Sequence, residues 1–359
     1  MTDDIKRILI VKLSSMGDLL HALPTVHCLK AGLNAQIDWI VHPAYAGLAR
    51  CFSDISRVLV FPRHAAPSEF IRQIRLLRAE QYDMIVDLQG ILKSALVCRL
   101  ARGTRRIGPS FHREGSFLFY NGVAGSRNKN RHAVDESMDL MRYLGLPPLP
   151  PVYPMSIALQ LVSEPSPRIA LLPFSRWPSK NWPLMSFARV GNELHENLGA
   201  SIYVMGSPED RSLGAEMEKA SAGRMINLVG KTTLPQMAGL LREMDLVIAN
   251  DSGPMHLAAA LGTPVLAMYG PSDPVRTGPP PGSRNCVLRG KLKCQPCFSR
   301  VCRFRDSSCM QTITPESVVN AAMNMLLKHP GKRTGKRQSS DDKPPGLPRQ
   351  EDGNKTFTL

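Results

Sequence analysis

The sequence predicts an α/β protein of two similar halves, each a parallel sheet wrapped by helices. Short β-rich apolar runs alternate with segments of helical apolar spacing, the pattern of strands joined by crossover helices. The alternation occurs twice, separated by a proline-dense stretch from Gly145 to Pro167. Such a stretch suits a semi-rigid linker. The chain, at 359 residues, can also bury two separate cores. The expected division is a first domain over 1–150, a linker over 151–167, a second domain over 168–328, and a basic tail over 329–359. That tail is Pro, Gly and charge with little to bury, and is expected to be disordered.

Taken in order, Arg7 to Leu13 is an apolar strand, and Ser14-Ser15-Met16-Gly17-Asp18 is a turn. Leu19 to Leu29 has helical spacing, with Pro24 early enough to be tolerated or to bend it. Ile37 to Val41 and Val58 to Phe61 read as strands, and Ser68 to Glu80 as a helix with Ile71, Ile74 and Leu77 on one face. Met84 to Leu88 is a buried strand, followed after Gln89-Gly90 by a helix carrying Lys93. From Arg99 to Arg131 eight basic residues face the single acid Glu114, which points to an anion-binding surface. In the second half, strands are expected at Ile169 to Pro173, Ser201 to Met205, Ile226 to Leu228, Leu246 to Ala249 and Val265 to Tyr269. A last helix runs from Thr314-Pro315-Glu316 to about Lys328.

The second half is organised around Leu246 to Pro274: strand, polar turn, short helix closed by Gly262, and strand. Ser252 is placed to cap the helix, Gly253 to admit a close backbone neighbour, and Pro254 to sit harmlessly in the first turn. A helix opening straight off a strand end is an anion site, and ligands of α/β sheets lie beyond the carboxyl ends of the strands. The turn therefore reads as a diphosphate seat.

Composition narrows the partners. The net charge of +15 calls for an anionic one: nucleic acid, an anionic membrane surface or a phosphorylated substrate. Aromatic content of 6%, with no stacking motif among the basic residues, argues against nucleic acid. No apolar run reaches the roughly 18 residues of a membrane span or resembles a secretion signal, so a cytoplasmic protein is expected. No Gly-x-Gly-x-x-Gly follows the first strand, and Gly230-Lys231-Thr232 lacks the earlier glycine of a P-loop, which disfavours nicotinamide and ATPase chemistry.

Several residues could carry chemistry. Asp18, at the end of the first strand, is either a turn cap or a general base facing the cleft. Lys180, in the loop Pro173 to Pro183, could supply a cation for a departing diphosphate. One carboxylate of Gly206-Ser207-Pro208-Glu209-Asp210 could accept from a ribose hydroxyl. His256 fits equally a phosphate-facing residue and a satisfied core histidine. Cys294, Cys297, Cys302 and Cys309, spaced C-x2-C-x4-C-x6-C, could form a structural zinc site with no open coordination position, or remain reduced thiols.

With these residues in view, the chain resembles the ADP-heptose:lipopolysaccharide heptosyltransferases of glycosyltransferase family 9, over about residues 5 to 328. The resemblance rests on six motifs in order: KLSSMGDLLHALP (Lys12 to Pro24), DLQGILKSA (Asp87 to Ala95), HREGSFLFYN (His112 to Asn121), HAVDESMDL (His132 to Leu140), SRWPSKNWP (Ser175 to Pro183) and NDSGPMHLAAALGTPVLAMYGPSDP (Asn250 to Pro274). It implies a GT-B fold, two facing Rossmann-like domains with the acceptor on the first and ADP-heptose on the second. By this likeness Asp18 is the base and Lys180 a diphosphate contact. Ser175, Arg176, Glu209, Asp251, Ser252, Gly253 and His256 surround the donor, and Lys93 and Arg113 lie on the acceptor side. It further implies a monomer that needs no cofactor for catalysis and takes Kdo-lipid A as acceptor at the inner face of the inner membrane. A related transferase with another sugar or acceptor is the nearest alternative.

Overall fold

The computed structural model describes residues 5–61, 67–160, 162–280, 284–304 and 308–328. The tail expected to be disordered, 329–359, lies outside the described residues. Two six-stranded parallel sheets form the frame. The first contains β1 (Arg7–Val11), β2 (Gln36–Val41), β3 (Arg57–Val60), β4 (Gln81–Asp87), β5 (Arg102–Pro109) and β6 (Gly122–Ala124). The second contains β7 (Arg168–Leu172), β8 (Ser201–Val204), β9 (Met225–Asn227), β10 (Leu246–Asn250), β11 (Val265–Tyr269) and β12 (Cys286–Arg289). Their orders, 3-2-1-4-5-6 and 12-11-10-7-8-9, are the same Rossmann order traced twice. The central strands are near-continuous apolar runs because both faces are covered: β1 and β10 keep Ile8, Leu9, Ile10, Val247 and Ile248 fully buried.

Strands β5, β6 and β12 were not expected from the sequence. β5, RGTRRIGP, lies inside the basic run and hides its strand character under arginines. Those arginines are partly structural: Arg106 Nε donates to the Cys98 carbonyl at 3.1 Å, and Arg131 pairs with Asp139 at 2.9 Å. The run is therefore not the uniformly uncompensated surface its composition suggests.

The helix Met16–Leu33 is longer than its apolar spacing implied and contains Pro24 in its interior. It is buried on nearly all sides, as a helix packed between two layers must be. One side covers the first sheet, and its first turn meets the first turn of helix Gly253–Ala260 from the other half. The approach needs glycine on both helices. A Cβ on Gly17 would stand 2.8 Å from His256 Cδ2, and one on Gly253 would stand 2.8 Å from Met16 Cβ. The close neighbour of Gly253 is thus the Met16 side chain rather than another backbone. A continuous apolar cluster crosses this junction, joining Ile8, Met16 and Leu20 to Ala249 and Met255.

The proline-rich stretch is fastened on both sides. Met155 bridges to Phe52, and Ser156 N donates to Cys51 O at 2.8 Å, while two residues later Ala158 O lies against Gly239 of helix Leu234–Arg242. The last helix, Pro315–Lys328, packs its Val318, Val319 and Ala322 into the second core.

Overpacking a tight contact typically costs about 1–3 kcal/mol. Gly253→Val is accordingly expected to lower unfolding stability by about that amount, read from the urea midpoint. An unchanged midpoint would show that the helix crossing tolerates a side chain.

Candidate active site

In a Rossmann sheet the strand order reverses between two central strands, and the crevice beyond their carboxyl ends receives the ligand. Here the reversals fall between β1 and β4 and between β7 and β10. Asp18 follows β1, Lys93 follows β4, Arg113 follows the neighbouring β5, Lys180 follows β7, and Asp251, Ser252 and His256 follow β10. The helix crossing at Gly17 and Gly253 brings the two crevices together.

Asp18 occupies the third position of its helix. Its Oδ2 accepts from Ser15 N at 2.8 Å and Ser15 Oγ at 2.7 Å, so the turn-cap and base readings are compatible. Oδ1 takes no hydrogen bond among the described residues, and the side chain reaches solvent although the cleft walls enclose it. Enclosure pushes the carboxyl pKa up. The Lys12 charge, the two Ser15 hydrogen bonds and His21 outweigh it, and the net shift is downward. Lys12 itself is buried, donates to Leu88 O at 2.6 Å, and has a pKa lowered by burial against the pull of Asp18 and Asp87. Arg113 is exposed and close enough for its charge to lower Lys12 further, whereas Lys93 is exposed on the helix Leu92–Leu100.

Across the junction, Lys180 Nζ lies 2.6 Å from Asp251 Oδ2 and 4.6 Å from the centre of the Trp177 ring. Ser272 Oγ also donates to Asp251 Oδ2, and His256 Nε2 stands 3.6 Å from Oδ1. Burial raises the Asp251 pKa, but His256 and Lys180 together drive it well below the usual carboxylate range. Asn250 fixes the loop that carries Lys180 at both ends: its Oδ1 accepts from Trp182 N at 3.1 Å and its Nδ2 donates to Pro173 O at 2.6 Å. Ser175 N donates to Asn181 Oδ1 within the same loop, while Arg176 is exposed. Of the Glu209–Asp210 pair, Asp210 is committed to Ser207 N and Oγ, and Glu209 is exposed, its pKa lowered by a hydrogen bond from Ser207.

Ser252 corrects an expectation. It is the N-cap residue by position, but its hydroxyl makes no capping bond and is buried without a partner among the described residues. Its extended backbone, with ψ near 164°, directs the chain into the helix while leaving the hydroxyl unused.

A histidine cluster joins the two sets of charges. His21 packs edge-to-face on His256 at 4.6 Å and on His132 at 5.3 Å between ring centres. His132 Nδ1 accepts from Val134 N, which leaves Nε2 as the donor to Gly278 O at 3.0 Å. His21 Nε2 is buried with no partner among the described residues. Burial, followed by the neighbouring His256 charge, holds the His21 imidazole well below its ordinary pKa despite Asp18. Lys12, His21, His132 and Asn250 had no role assigned from sequence. All four sit inside the quoted motifs, but only the fold shows what they meet.

The cysteine-bearing segment braces the same region. Ser179 Oγ donates to Ser299 O at 2.6 Å, and Phe298 N donates to Pro271 O at 2.8 Å. All four thiols are free, and burial together with the nearby Cys302, Cys297 and Cys294 raises the Cys309 pKa. Among the described residues no three His, Cys, Asp or Glu side chains are placed to hold a metal ion.

Two Rossmann units whose crevices meet, with an aspartate-bearing turn on one and a lysine-bearing loop on the other, fit the GT-B class of glycosyltransferases. Residues 70–307 match the model of glycosyltransferase family 9 (heptosyltransferase), and the chain belongs to that family. Lipopolysaccharide heptosyltransferase 1 of Salmonella typhimurium is 33% identical over 298 residues, covering 75% of this chain and 89% of that protein. The Escherichia coli K12 protein of the same name is 30% identical over 288 residues, with 75% and 89% covered. The solved E. coli heptosyltransferase WaaC with ADP superposes at a TM-score of 0.72 and 26% identity, over 89% of this chain and 99% of that one. E. coli ADP-heptose lps heptosyltransferase II gives 0.75 and 25%, over 90% and 100%. Among the described residues no helix is long and apolar enough to cross a membrane.

A histidine held below its unfolded pKa stabilises the fold above about pH 6.5 and withdraws that contribution as pH falls toward the folded value. Unfolding stability is therefore expected to decline between about pH 7 and about pH 5. His21→Leu should flatten that decline in urea titrations. An unchanged slope in the variant would assign the loss to other groups.

Proposed function

We propose that the protein transfers heptose from ADP-heptose to a Kdo hydroxyl of the lipopolysaccharide inner core, with inversion at the anomeric carbon. The observation that carries this reading is the juxtaposition of Asp18, with one carboxylate oxygen free of protein partners, and the Lys180–Asp251 pair across the His21–His256 contact. The WaaC complexes with ADP and with ADP-2-deoxy-2-fluoro heptose support the donor assignment, since those proteins share this fold at 26% and 25% identity.

In this mechanism Asp18 Oδ1 takes the proton of the acceptor hydroxyl. The oxygen attacks the anomeric carbon from the face opposite the nucleotide, and the bond to the diphosphate breaks with its electron pair leaving on the ADP oxygen. The lowered Asp18 pKa keeps the base ionised at neutral pH. Lys180, the unpartnered Ser252 hydroxyl and the N-terminus of helix Gly253–Ala260 stabilise the departing charge. Arg176, Ser175, Glu209 and His256 complete the donor side; Lys93 and Arg113 draw in the anionic acceptor. The acceptor is lipid-anchored, so the enzyme works at the inner face of the inner membrane. No metal is needed where lysine and backbone dipoles carry the charge, and zinc on the four cysteines would serve the fold alone.

A second reading, transfer to a heptose already on the core, draws on the equal likeness to heptosyltransferase II. Purified protein with ADP-heptose and either Kdo-lipid A or its heptosylated form, followed by mass spectrometry, separates the two. Product only on the heptosylated acceptor would overturn the Kdo assignment.

General-base catalysis is typically worth about 10² to 10⁴ in rate, so Asp18→Asn should lower kcat by about that factor with donor KM little changed. Near-normal turnover would remove Asp18 as the base. Turnover should also survive EDTA.

Two unit charges about 4 Å apart interact by roughly 4 kcal/mol at an effective dielectric near 20, against about 0.3 to 1 kcal/mol for a helix terminus. Lys180→Ala should therefore reduce turnover more than Ser252→Ala. Removing the lysine also leaves the buried Asp251 carboxylate with only Ser272 and His256 beside it, a loss of up to about 3–5 kcal/mol in stability. Lys180→Ala/Asp251→Asn isolates the catalytic part: a turnover equal to that of Ser252→Ala in this double variant would sink the ranking.

A further inference from the structure

We propose that one face of the first half docks on an anionic lipid bilayer. It is formed by helix Pro67–Arg78, helix Leu92–Leu100 and the turn Ser116–Phe119. The proposal deepens the reading above, on which only its activity arm rests.

The three elements form one surface. Arg78 Nη1 donates to Leu100 O at 3.2 Å, which ties the two helices, and Leu92 N donates to Glu114 Oε2 at 3.2 Å, which ties the second helix to the turn. Each element exposes large apolar side chains. Ile71 and Leu76 are about half exposed on the first helix, Leu92 and Leu96 similarly on the second, and on the turn Phe117 is 48% and Leu118 74% exposed. An exposed apolar group of this kind, concentrated in neighbouring elements, marks a contact surface.

Charge decides what it contacts. On the second helix Leu92, Leu96 and Arg99 share one stripe at helical spacing, with Lys93 beside it; on the first, Arg75 stands between Ile71 and Leu76 in the sequence of exposed positions. Among the described residues, Glu69 is paired with Arg72 and also accepts from Gln73, which leaves Glu114, turned onto Leu92 N, as the one acid set against the cations of this face. Arg75, Lys93, Arg99 and Arg113 have no acidic partner there. Apolar side chains interleaved with unmatched cations fit a membrane interface, where the tips enter the headgroup layer and the cations meet anionic lipid. A protein partner of ordinary composition would need an acidic, apolar face of its own.

The position of the surface fits a lipid-anchored substrate. The turn hangs from Gly90 at the carboxyl end of β4, where Arg113 N and Ser116 Oγ both donate to Gly90 O. Arg113 is in turn within electrostatic reach of Lys12 and hence of the Asp18 crevice. A second exposed apolar and basic segment, Phe298 to Phe304, lies instead on the donor half, with Arg300 over the Trp177 ring.

The test is co-sedimentation of the full-length protein with vesicles of equal parts phosphatidylethanolamine and phosphatidylglycerol, and with phosphatidylcholine alone. Wild type should bind the anionic vesicles, release with added salt, and ignore the neutral ones. Ile71→Ser/Leu118→Ser and Arg75→Glu/Arg99→Glu should each weaken binding by at least about tenfold, with unchanged thermal melting. Val301→Ser/Phe304→Ser should bind as wild type. Binding by the first two variants at wild-type strength, loss confined to the third, or no binding by wild type overturns the proposal. With a delipidated acceptor the first two variants should turn over normally, and with vesicle-embedded acceptor they should slow. Absence of turnover on either acceptor by wild type would refute the functional reading while leaving the sedimentation result to stand or fall separately.

Discussion

The site exists because two helices begin where each lacks a side chain. Gly17 accepts the His256 ring and Gly253 accepts Met16, so the first turns of Met16–Leu33 and Gly253–Ala260 lie in direct contact. Both helices start at a strand end, which means the contact also fixes the relative position of the two sheet crevices. Everything polar that the halves contribute is then brought within the span of a few side chains. A bulkier first turn on either helix would keep both sheets and both cores intact while moving Asp18 away from the Lys180–Asp251 pair.

That contact places charges and imidazoles where water is scarce, and the arrangement manages the cost locally. Asp251 is buried but surrounded by Lys180, Ser272 and His256, and Lys12 is buried with its ammonium on a backbone carbonyl. His21 remains neutral between two other imidazoles. Among the described residues, the polar groups at the junction left without partners include ones a ligand could address: the Asp18 Oδ1, the His21 ring nitrogen and the Ser252 hydroxyl. Lys180 is neither free nor surface-bound. On the proposed reading, its pairing with Asp251 would make an arriving diphosphate compete with a carboxylate already in place, moderating affinity without removing the positive charge from the transition state.

Much of this was legible in the sequence, and the omissions have physical causes. Strands buried on both faces, such as Leu246–Asn250, announce themselves as apolar runs, and Gly262 with φ near 78° closes the organising helix where a glycine was needed. β5 was hidden because arginines stand at Arg102, Arg105 and Arg106, the last donating to the Cys98 and Ala101 carbonyls, so a strand reads as a charge run. Asp18 could be suspected from its place after a glycine at a strand end. His21 could not, because an imidazole in an apolar helix looks the same whether it faces a core or a second domain. The failed cap at Ser252 is of the same kind: residue type and position were right, and only the direction of the hydroxyl decided against it.

The attachment of the proline-rich stretch limits how the cleft can change shape. Its backbone is committed to the first half through Ser156 and to the second from Ile157, whose carbonyl accepts from Arg242 Nη1 at 3.3 Å, so the two fastenings fall on adjacent residues and leave no free chain between them. A joint that short behaves as a pivot, not a leash: any tilt of the halves turns on the link between Ser156 and Ile157, and they cannot drift apart or slide while both fastenings hold. Substrate entry by such a joint would be a matter of angle, with its largest displacement at the rim of the crevice and its smallest at the helix crossing.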